Sequence, residues 1–405
     1  MIKYKLSAQV NIIQASEYNG TGIPGEYEQS QYILCDKKRE RDFLINETIK
    51  YFIDKFSFPK TYVDVLAEIA AEVDTRIDRI EKKCATFFNL LCKRKVLVPE
   101  NWNEPTISGD PLYKPGDVIG NLTVLEVIAN KRHVDLYLTA NKTTNSTYVL
   151  KLLNPKKLTI QKIYREELKD LQREYGMLRS VRHLRFVNKT YGFYKKKPGI
   201  AYIKMEYIKG KSLSRYLREA ENVDSSATTS LIQNMLEAFS SLHKHNLVHG
   251  DIHPSNILVC EDSSIKIIDL GLSVRINTEK NEVVPIGGAN FYMPPERINA
   301  TSIHKFSKAP DLYSDVYQIG LLLYFVLYRK EPFTGFIWEE LAGNIKKQSV
   351  EFADLSFSGY SIPAFIAGII KKCLAKKPAL RYKTASDILD HFRAVTLEKV
   401  TAKMR

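Results

Sequence analysis

Several polar residues stand inside or at the end of apolar runs, where a charged group needs a partner or a function. Lys151 lies in the alternating run TYVLKLL, which predicts a strand. Asp251 and Asn256 stand five residues apart in the segment HGDIHPSN, and Asp269 follows at the end of the apolar run IKIID. A charge inside an apolar run requires a partner, although an aspartate after a strand is often only a turn residue. These four residues are therefore the first candidates for charge-dependent chemistry.

Apolar spacing predicts the elements that must position these residues. A strand surrounds Lys151, and a helix is predicted from about residue 160 to 181. The apolar positions of that helix are Ile160, Ile163, Leu171, Leu178 and Val181. Glu174 lies within the helix, in the segment QREYGMLRSVRH. It is the acidic residue that we expect to face the lysine.

From about residue 120 almost to its end, the chain resembles the protein-kinase superfamily, in particular eukaryotic-like serine/threonine kinases with an HGD-type catalytic loop. The resemblance implies that Lys151 holds the α- and β-phosphates of ATP and pairs with Glu174. It implies that Asp251 is the catalytic base, and that Asn256 and Asp269 bind Mg²⁺. The expected cofactors are therefore ATP and Mg²⁺.

The same resemblance assigns further residues to the nucleotide and to the larger lobe. The residues expected to contact the nucleotide are Lys151, Val149, Met205, Glu206, Tyr207, Ile208, Leu258 and Lys131. Glu296 in PPE resembles the end of an activation segment, Asp315 and Gly320 the start of the central helix, and Arg381 the partner of Glu296. Small-molecule kinases that share the HGD loop usually lack this downstream set, which therefore favours a peptide or protein substrate.

The sequence departs from the family pattern in its glycine-rich loop. Ala129, Lys131 and Val134 stand where three glycines would let backbone N–H groups close onto phosphates. Lys131 and Arg132 are expected to contact the phosphates through their side chains instead. Val149 replaces the small alanine that normally covers the adenine.

Three further departures lie in or near the catalytic loop. His253, expected to act in catalysis, stands where these kinases usually have a lysine, and Ala289 stands in place of a threonine. Gly250 replaces the arginine that reads activation-loop phosphorylation, which predicts a kinase that needs no such phosphate. Two functions remain open, an active serine/threonine kinase and a pseudokinase that serves as a nucleotide-binding or peptide-binding scaffold.

Residues 1–98 form a separate predicted unit of α+β character. Strands are predicted over 2–14, 31–35 and 96–98, and helices over 46–56, 61–73 and 76–93. This winged-helix-like pattern resembles the PqqD-like family, also called RiPP recognition elements, on the runs FLINETIKYFIDKF, KTYVDVLAEIAAEV and FFNLLCKRKVLVP. The resemblance implies capture of a precursor peptide at a sheet edge. A structural or dimerisation module and a DNA reader are the alternatives.

The predicted fold is therefore α+β, a two-lobed protein-kinase-like fold preceded by the small winged-helix-like domain. Residues 99–120 are predicted to be a linker, because they contain seven prolines and glycines. Residues 121–208 are assigned to the smaller kinase lobe and its hinge, and residues 209–405 to the larger lobe.

Charge and composition narrow the range of partners. The chain is 44% hydrophobic, which excludes disorder throughout, and its formal net charge is +14. The whole excess lies between residues 151 and 218, which hold 19 Lys and Arg against five Asp and Glu, so a DNA partner is not expected and an acidic peptide is. The scattered cysteines, the absence of a signal peptide and an apolar run of only about ten residues predict a cytoplasmic protein without a membrane span. The oligomeric state is left open.

Overall fold

The computed structural model divides the chain into two compact units, Met1–Ile107 and Ser108–Arg405. It describes residues 2–7, 10–14, 31–36, 41–93, 96–101, 110–131, 133–158, 161–196, 199–220, 223–276, 290–298, 308–333 and 338–403. Each unit mixes helices with antiparallel sheets.

The first unit contains two small sheets and three helices. Its elements are β1 (Lys3–Leu6), β2 (Val10–Gln14), β3 (Gln31–Asp36), β4 (Arg41–Asn46), α1 (Glu47–Asp54), β5 (Lys60–Thr61), α2 (Tyr62–Glu72), α3 (Ile77–Lys93) and β6 (Leu97–Pro99). The strand orders are β5-β1-β6 and β2-β3-β4. Thr61 begins α2 with a capping box that it shares with Asp64, which satisfies two backbone N–H groups at the helix start.

The strand predicted over 2–14 is two strands that belong to different sheets. β1 pairs with β5 and β6, whereas β2 pairs with β3. β4 was missed, because its short alternation follows a charged segment and leads directly into α1. The three helices lie within the predicted ranges, and aromatic rings of α1 and α3 pack together, with the Phe52 and Phe87 centroids 6.2 Å apart.

The second unit begins with a six-stranded antiparallel sheet and one long helix. These elements are β7 (Val118–Ile119), β8 (Leu122–Asn130), β9 (Val134–Asn141), β10 (Thr147–Leu153), α4 (Gln161–Ser180), β11 (Thr190–Lys196) and β12 (Ile200–Glu206). The sheet order is β11-β12-β10-β9-β8-β7.

The remainder of this unit is mainly helical. Its elements are β13 (Gly210–Ser212), α5 (Leu213–Glu219), α6 (Ser225–Lys244), β14 (Leu247–Val248), β15 (Ile257–Cys260), β16 (Ile265–Ile267), β17 (Val274–Arg275), α7 (Leu312–Tyr328), α8 (Trp338–Lys347), α9 (Ala364–Cys373) and α10 (Ala385–Lys403). Among the described helices, none is both long enough and apolar enough to cross a membrane.

Part of the segment predicted as a linker packs on the six-stranded sheet. The backbone N–H of Leu112 donates to Asp135 at 3.0 Å, and that of Tyr113 donates to the Tyr137 hydroxyl at 3.1 Å. Residues 110–120 therefore belong to the second unit, where their apolar side chains cover one face of the sheet. The prolines and glycines limit regular structure there to the two-residue strand β7 without preventing ordered packing.

The centre of the helical part is α7, which is buried along almost its whole length. Gly320 lets α9 approach closely, because a Cβ at this position would lie 2.7 Å from the Cβ of Cys373. The polar residues Ser314, Asp315 and Gln318 are fully buried within this apolar helix. Buried polar side chains are almost always hydrogen-bonded, so their partners show what α7 organises.

A buried ion pair ties the segment before α7 to the segment before α10. The Arg381 guanidinium donates two hydrogen bonds to the Glu296 carboxylate, each 2.8 Å long. Arg381 also donates to the backbone carbonyls of Tyr313 and Ala375, and its side chain is fully buried. This bidentate pair is the one expected from the sequence.

We predict that Glu296→Ala lowers the free energy of unfolding by about 3 to 5 kcal/mol, because it leaves a buried guanidinium without its anion. Glu219→Ala is the matched control, since Glu219 pairs with the exposed Lys211 and Arg215 on the surface. That change should lower the free energy of unfolding far less, because solvent screens an exposed ion pair. Urea denaturation measures both, and equal losses would contradict a structural role for the buried pair.

Candidate functional site

Lys151 lies at the centre of the six-stranded sheet, on one face of β10. Val149 and Lys151 are half-buried on this face, whereas Leu150 and Leu152 on the other face are fully buried. The alternation follows from the two-residue period of a strand. The sequence TYVLKLL therefore directs the ammonium group away from the apolar layer that Leu150 and Leu152 help to form.

The Lys151 ammonium forms a bidentate ion pair with Glu174 of α4. Its Nζ lies 2.7 Å from each carboxylate oxygen of Glu174 and 3.4 Å from Oδ2 of Asp269. Burial alone would lower the pKa of Lys151, but the two carboxylates outweigh it and raise the pKa. Lys151 is therefore a fixed cation between two acidic groups that come from distant parts of the chain.

Asp269 stands in a tight turn that aims its carboxylate toward Lys151. Its backbone φ is +65°, in the left-handed region, and its Oδ1 accepts a hydrogen bond from the N–H of Gly271 at 3.1 Å. Burial opposes ionisation, but Lys151, the Gly271 N–H and the charge of Lys131 lower the pKa of Asp269 to about 2. Asp269 is therefore an anion at any physiological pH, held in a conformation that costs about 1 to 3 kcal/mol.

Arg173, which the sequence analysis did not single out, holds this turn to α4. Its guanidinium donates to the backbone carbonyl of Gly271, and to that of Ser273 at 3.3 Å. Arg173 precedes Glu174 in the helix, so one turn of α4 binds both Lys151 and the segment after Asp269. The position of α4 and the position of the turn are therefore coupled.

The loop that carries Asp251 and Asn256 folds back on itself. The Asn256 amide nitrogen donates to the backbone carbonyl of Asp251 at 3.0 Å and lies 3.5 Å from its Oδ2. His253 Nδ1 accepts from the N–H of Ser255 at 3.3 Å, so its proton belongs on Nε2, which lies 3.6 Å from Oδ2 of Asp251. Asp251, His253 and Asn256 are therefore brought together in one short loop.

The backbone of this loop is held by polar residues of α7. Asp315 accepts hydrogen bonds from the N–H groups of His249 at 2.6 Å and Gly250 at 2.8 Å. Gln318 accepts from the N–H of Ile252 at 3.0 Å. These contacts explain why two polar residues are buried in an apolar helix.

A second group missed by the sequence analysis is Arg297, whose side chain is only 1% exposed. Its Nη1 donates to the carbonyl of Gly250 at 3.2 Å, and its Nε donates to the carbonyl of Lys308. Arg297 therefore places a buried positive charge against the loop at the point where Gly250 stands in place of the usual arginine. No local pattern in PPERI indicates that its arginine would be buried.

Most of the remaining residues predicted to contact a nucleotide lie on β10, β12 and β15 or directly after β12. Val149 pairs with Met205 of β12 across the sheet, and Leu258 of β15 is half-buried between the fully buried Ile257 and Val259. Tyr207 and Ile208 follow the end of β12, outside any strand, so sheet pairing does not use their backbone groups.

Glu206 ends β12, and its side chain contacts neighbouring segments. Its Oε2 accepts from the N–H of Lys189 at 3.1 Å and lies 3.5 Å from the Lys266 ammonium. Its backbone N–H donates to the carbonyl of Lys189. Glu206 therefore holds β12 to neighbouring segments.

The degenerate glycine-rich segment forms a short hairpin between β8 and β9. The N–H of Lys131 donates to the carbonyl of Val134 at 2.8 Å. The Lys157 ammonium holds this hairpin, since it donates to Asn130, to the Lys131 carbonyl at 2.9 Å and to the fully buried Asp135 at 2.5 Å. The turn is thus fixed by side chains where the family uses glycines.

A second contact fixes the same hairpin to α4. His133 Nδ1 lies 2.6 Å from the carboxylate of Glu167. Lys131 is exposed at the tip, yet its charge contributes to the lowered pKa of Asp269, so its ammonium lies near the acidic groups of the site. Arg132 and Ala289 lie outside the described residues.

The donor set suits a hard divalent cation that also binds phosphate oxygens. Because the Asn256 amide nitrogen bonds to the loop, its oxygen is the atom available to a cation, and Asp269 supplies a carboxylate of lowered pKa. Among the described residues, no group of three or more His, Cys, Asp or Glu could hold a metal without other ligands. Two protein ligands and additional phosphate and water oxygens are the coordination that Mg²⁺ favours.

Comparison with known proteins adds an independent finding. Residues 133–392 match the protein kinase domain. A probable serine/threonine-protein kinase of Clostridium acetobutylicum is 30% identical over 48% of this chain and 29% of its own length. The carbon catabolite-derepressing protein kinase of Saccharomyces cerevisiae is 28% identical over 70% of this chain and 41% of its own length. The serine/threonine-protein kinase PrkC of Bacillus subtilis is 29% identical over 47% of this chain and 28% of its own length, so the chain spans less than half of each of these relatives.

We predict that Gly250→Ala destabilises the protein because the catalytic-loop backbone leaves no room for a side chain. Gly250 has φ +78°, and an added Cβ would lie 2.6 Å from the carbonyl oxygen of Leu272. Gly359 also has φ +78° but has nothing within 4 Å of an added Cβ, so Gly359→Ala measures the backbone penalty alone. Gly250→Ala should lose about 1 to 3 kcal/mol more than the control in urea denaturation, and equal losses would show that the loop can move aside.

Proposed function

The chain belongs to the protein kinase family, and we propose that it transfers the γ-phosphoryl group of ATP to a serine or threonine hydroxyl of a peptide or protein. The observation that carries the proposal is the cluster of Lys151, Glu174 and Asp269 beside a rigid loop that bears Asp251 and Asn256. Phosphoryl transfer needs positioning and charge stabilisation more than covalent chemistry by the protein. These residues supply both.

In the proposed reaction, Asp251 accepts the proton of the acceptor hydroxyl. The hydroxyl oxygen forms a bond to the γ-phosphorus as the bond from that phosphorus to the bridging oxygen of ADP breaks. His253, whose Nε2 lies 3.6 Å from Asp251 Oδ2, orients this carboxylate and faces the transferred group where the family usually has lysine. Lys151 positions the α- and β-phosphates, and Glu174 holds its ammonium in place.

We assign the metal of this reaction to Mg²⁺, held by Asn256 and Asp269 together with phosphate oxygens. When bound, the ion would neutralise charge on the phosphates during transfer. Lys131, at the tip of the clamped β8–β9 hairpin, supplies the positive charge that glycine N–H groups provide elsewhere. The loop thus acts through a side chain.

For the substrate, we propose an acidic peptide. The basic excess between residues 151 and 218 supports this, and Lys195 and Lys196 are exposed at the end of β11. Such a surface attracts negative charge over about 8 Å at physiological ionic strength. We also propose that the kinase needs no phosphate on its activation loop, because Arg297 already places a buried cation against Gly250.

We propose that the first unit captures that peptide, as the PqqD-like resemblance implies. In its described residues, β2 and β4 are the edge strands of one sheet, and β5 and β6 those of the other. An edge strand presents unpaired backbone groups to which an extended peptide can add. The structural-module and DNA alternatives predict no peptide binding.

We expect the full chain to incorporate label from γ-labelled ATP into a bound precursor-type peptide, and Asp251→Asn to reduce that rate by about 10² to 10⁴ through loss of the base. Fluorescence anisotropy of the same peptide should give an unchanged Kd for the variant, because capture is assigned to the other unit. Label incorporation that survives Asp251→Asn would exclude Asp251 as the base. If the wild-type chain did not bind the peptide, the capture role would be excluded, but the proposed phosphoryl transfer would not.

The second candidate function is a pseudokinase scaffold, which the missing glycines favour. Thermal denaturation distinguishes a scaffold that binds ATP without a metal from the proposed kinase. Mg²⁺ and ATP together should raise the Tm of the chain, whereas either alone should raise it little, because Asn256 and Asp269 need phosphate oxygens to complete the metal site. Asp269→Asn should remove most of the shift. An equal shift with ATP alone would favour a scaffold without a working metal site.

A further inference from the structure

The end of α7 holds a buried arginine that the proposed reaction does not use. Arg329 ends this helix with φ +56°, and its backbone N–H donates to the carbonyl of Phe325 at 2.8 Å. Only 6% of the residue is exposed. Its side chain is thus enclosed by the protein, although arginine is rarely buried without an anionic partner.

Unpaired polar atoms are concentrated at this place. Among the described residues, the buried side-chain atoms without a hydrogen-bond partner are Asn188 Oδ1, Tyr292 Oη, Tyr317 Oη, Arg329 Nε, Arg329 Nη1 and Ser356 Oγ. Half of these atoms belong to Arg329 and Ser356. Each unpaired buried donor costs about 1 to 3 kcal/mol, more for a charged group, so a cluster of them calls for a hydrogen-bonding partner.

Arg329 and Ser356 lie on two segments that are bonded to each other. The N–H of Phe357 donates to the carbonyl of Leu327 at 2.8 Å, which joins the loop after Ser356 to the last turn of α7. The Arg329 guanidinium lies 5.5 Å from the centroid of the Phe357 ring. The loop turns back at Tyr360, whose carbonyl accepts the N–H of Ser356 at 2.9 Å. The unpaired donors therefore lie on two neighbouring segments that a backbone hydrogen bond joins.

No carboxylate neutralises this guanidinium within the described part of the chain. The ion pairs found there do not include Arg329, and no carboxylate is among the groups that shift its pKa. Burial lowers the pKa of Arg329 to about 10, so it remains a cation at neutral pH. Water can satisfy hydrogen bonds but cannot neutralise a buried charge.

We propose that Arg329 and Ser356 form a binding site for a phosphate group. Arg329 Nε and Nη1 and the Ser356 hydroxyl are three unused donors, and a phosphate presents three terminal oxygens where a carboxylate presents two. The inference does not rest on the proposed kinase activity.

The test is the Tm of the full chain in inorganic phosphate against chloride at equal ionic strength. Arg329→Met removes the donors while it retains the Cβ, the left-handed backbone and an unbranched apolar stem. Arg185→Met is the matched control, because Arg185 is 74% exposed and pairs with Glu237 on the surface. The increase in Tm of this control measures the general stabilisation that phosphate gives to any folded protein. Lys151→Met serves the same purpose for phosphate that binds at the nucleotide site.

Wild type, Arg185→Met and Lys151→Met should each gain a few degrees in phosphate, whereas Arg329→Met should gain less than half as much. Ser356→Ala should weaken phosphate binding by about tenfold or less, and Arg329→Met by more than tenfold, as measured by calorimetric titration. In chloride, Arg329→Met should melt no lower than the wild-type chain, because it removes an unpaired buried charge. Equal phosphate gains in Arg329→Met and Arg185→Met would overturn the site, as would a lower Tm of Arg329→Met in chloride with no phosphate effect.

Two sources could supply the phosphate group, and a second titration distinguishes them. A serine peptide and its phosphoserine form are compared with inorganic phosphate on the wild-type and Arg329→Met chains. Tighter, Arg329-dependent binding of the phosphopeptide identifies a phosphorylated side chain as the ligand, and equal affinities identify free phosphate. The Asp251→Asn chain should bind as the wild type does, so an inactive kinase would not affect the result.

Discussion

The carboxylate of Asp315 is the group on which the catalytic loop depends. It accepts the backbone N–H groups of His249 and Gly250, and its Oδ2 also lies 3.1 Å from Nε2 of His243. His243 Nδ1 accepts the N–H of Ala385, so the imidazole proton belongs on Nε2, toward Asp315. One fully buried carboxylate thus joins α6, α7, the start of α10 and the loop that carries Asp251. Such a group is stable in the interior only because its hydrogen bonds are all made, which makes the loop rigid.

Side chains compensate for two of the family features that this sequence lacks. Where glycines would bring backbone groups onto the phosphates, Lys157 and Asp135 clamp a short hairpin and Lys131 carries charge at its tip. Where an arginine would precede Asp251, Arg297 reaches the carbonyl of Gly250 from the following segment. In both cases this chain has a positive charge near the site, but a different residue supplies it than in the usual family pattern. A site that works through electrostatics tolerates this kind of exchange.

Much of the architecture could be predicted because it depends on local pattern. The helices of the first unit and α4 lie where apolar spacing placed them, and the kinase domain of the second unit follows from residues whose order is characteristic. The sequence does not predict β4, which is short. It predicts a single strand over 2–14, because an alternating run does not reveal where the chain passes from one sheet to another. The segment 110–120 is predicted to be part of a linker because prolines and glycines disfavour long regular elements, but this composition does not reveal how the segment packs.

The sequence alone determined which residues could perform the chemistry. Lys151, Asp251, Asn256 and Asp269 were identifiable because each interrupts an apolar run or stands at a characteristic spacing.

The tertiary structure alone decided which charged residues support them. Arg173, Arg297 and Lys157 are ordinary surface-type residues in the sequence, and Arg329 follows an apolar helix with no sign that it would be enclosed. The physical reason is that burial and pairing are set by segments that are far apart in the chain, so the partner of a buried charge, or its lack of one, exists only once the chain has folded.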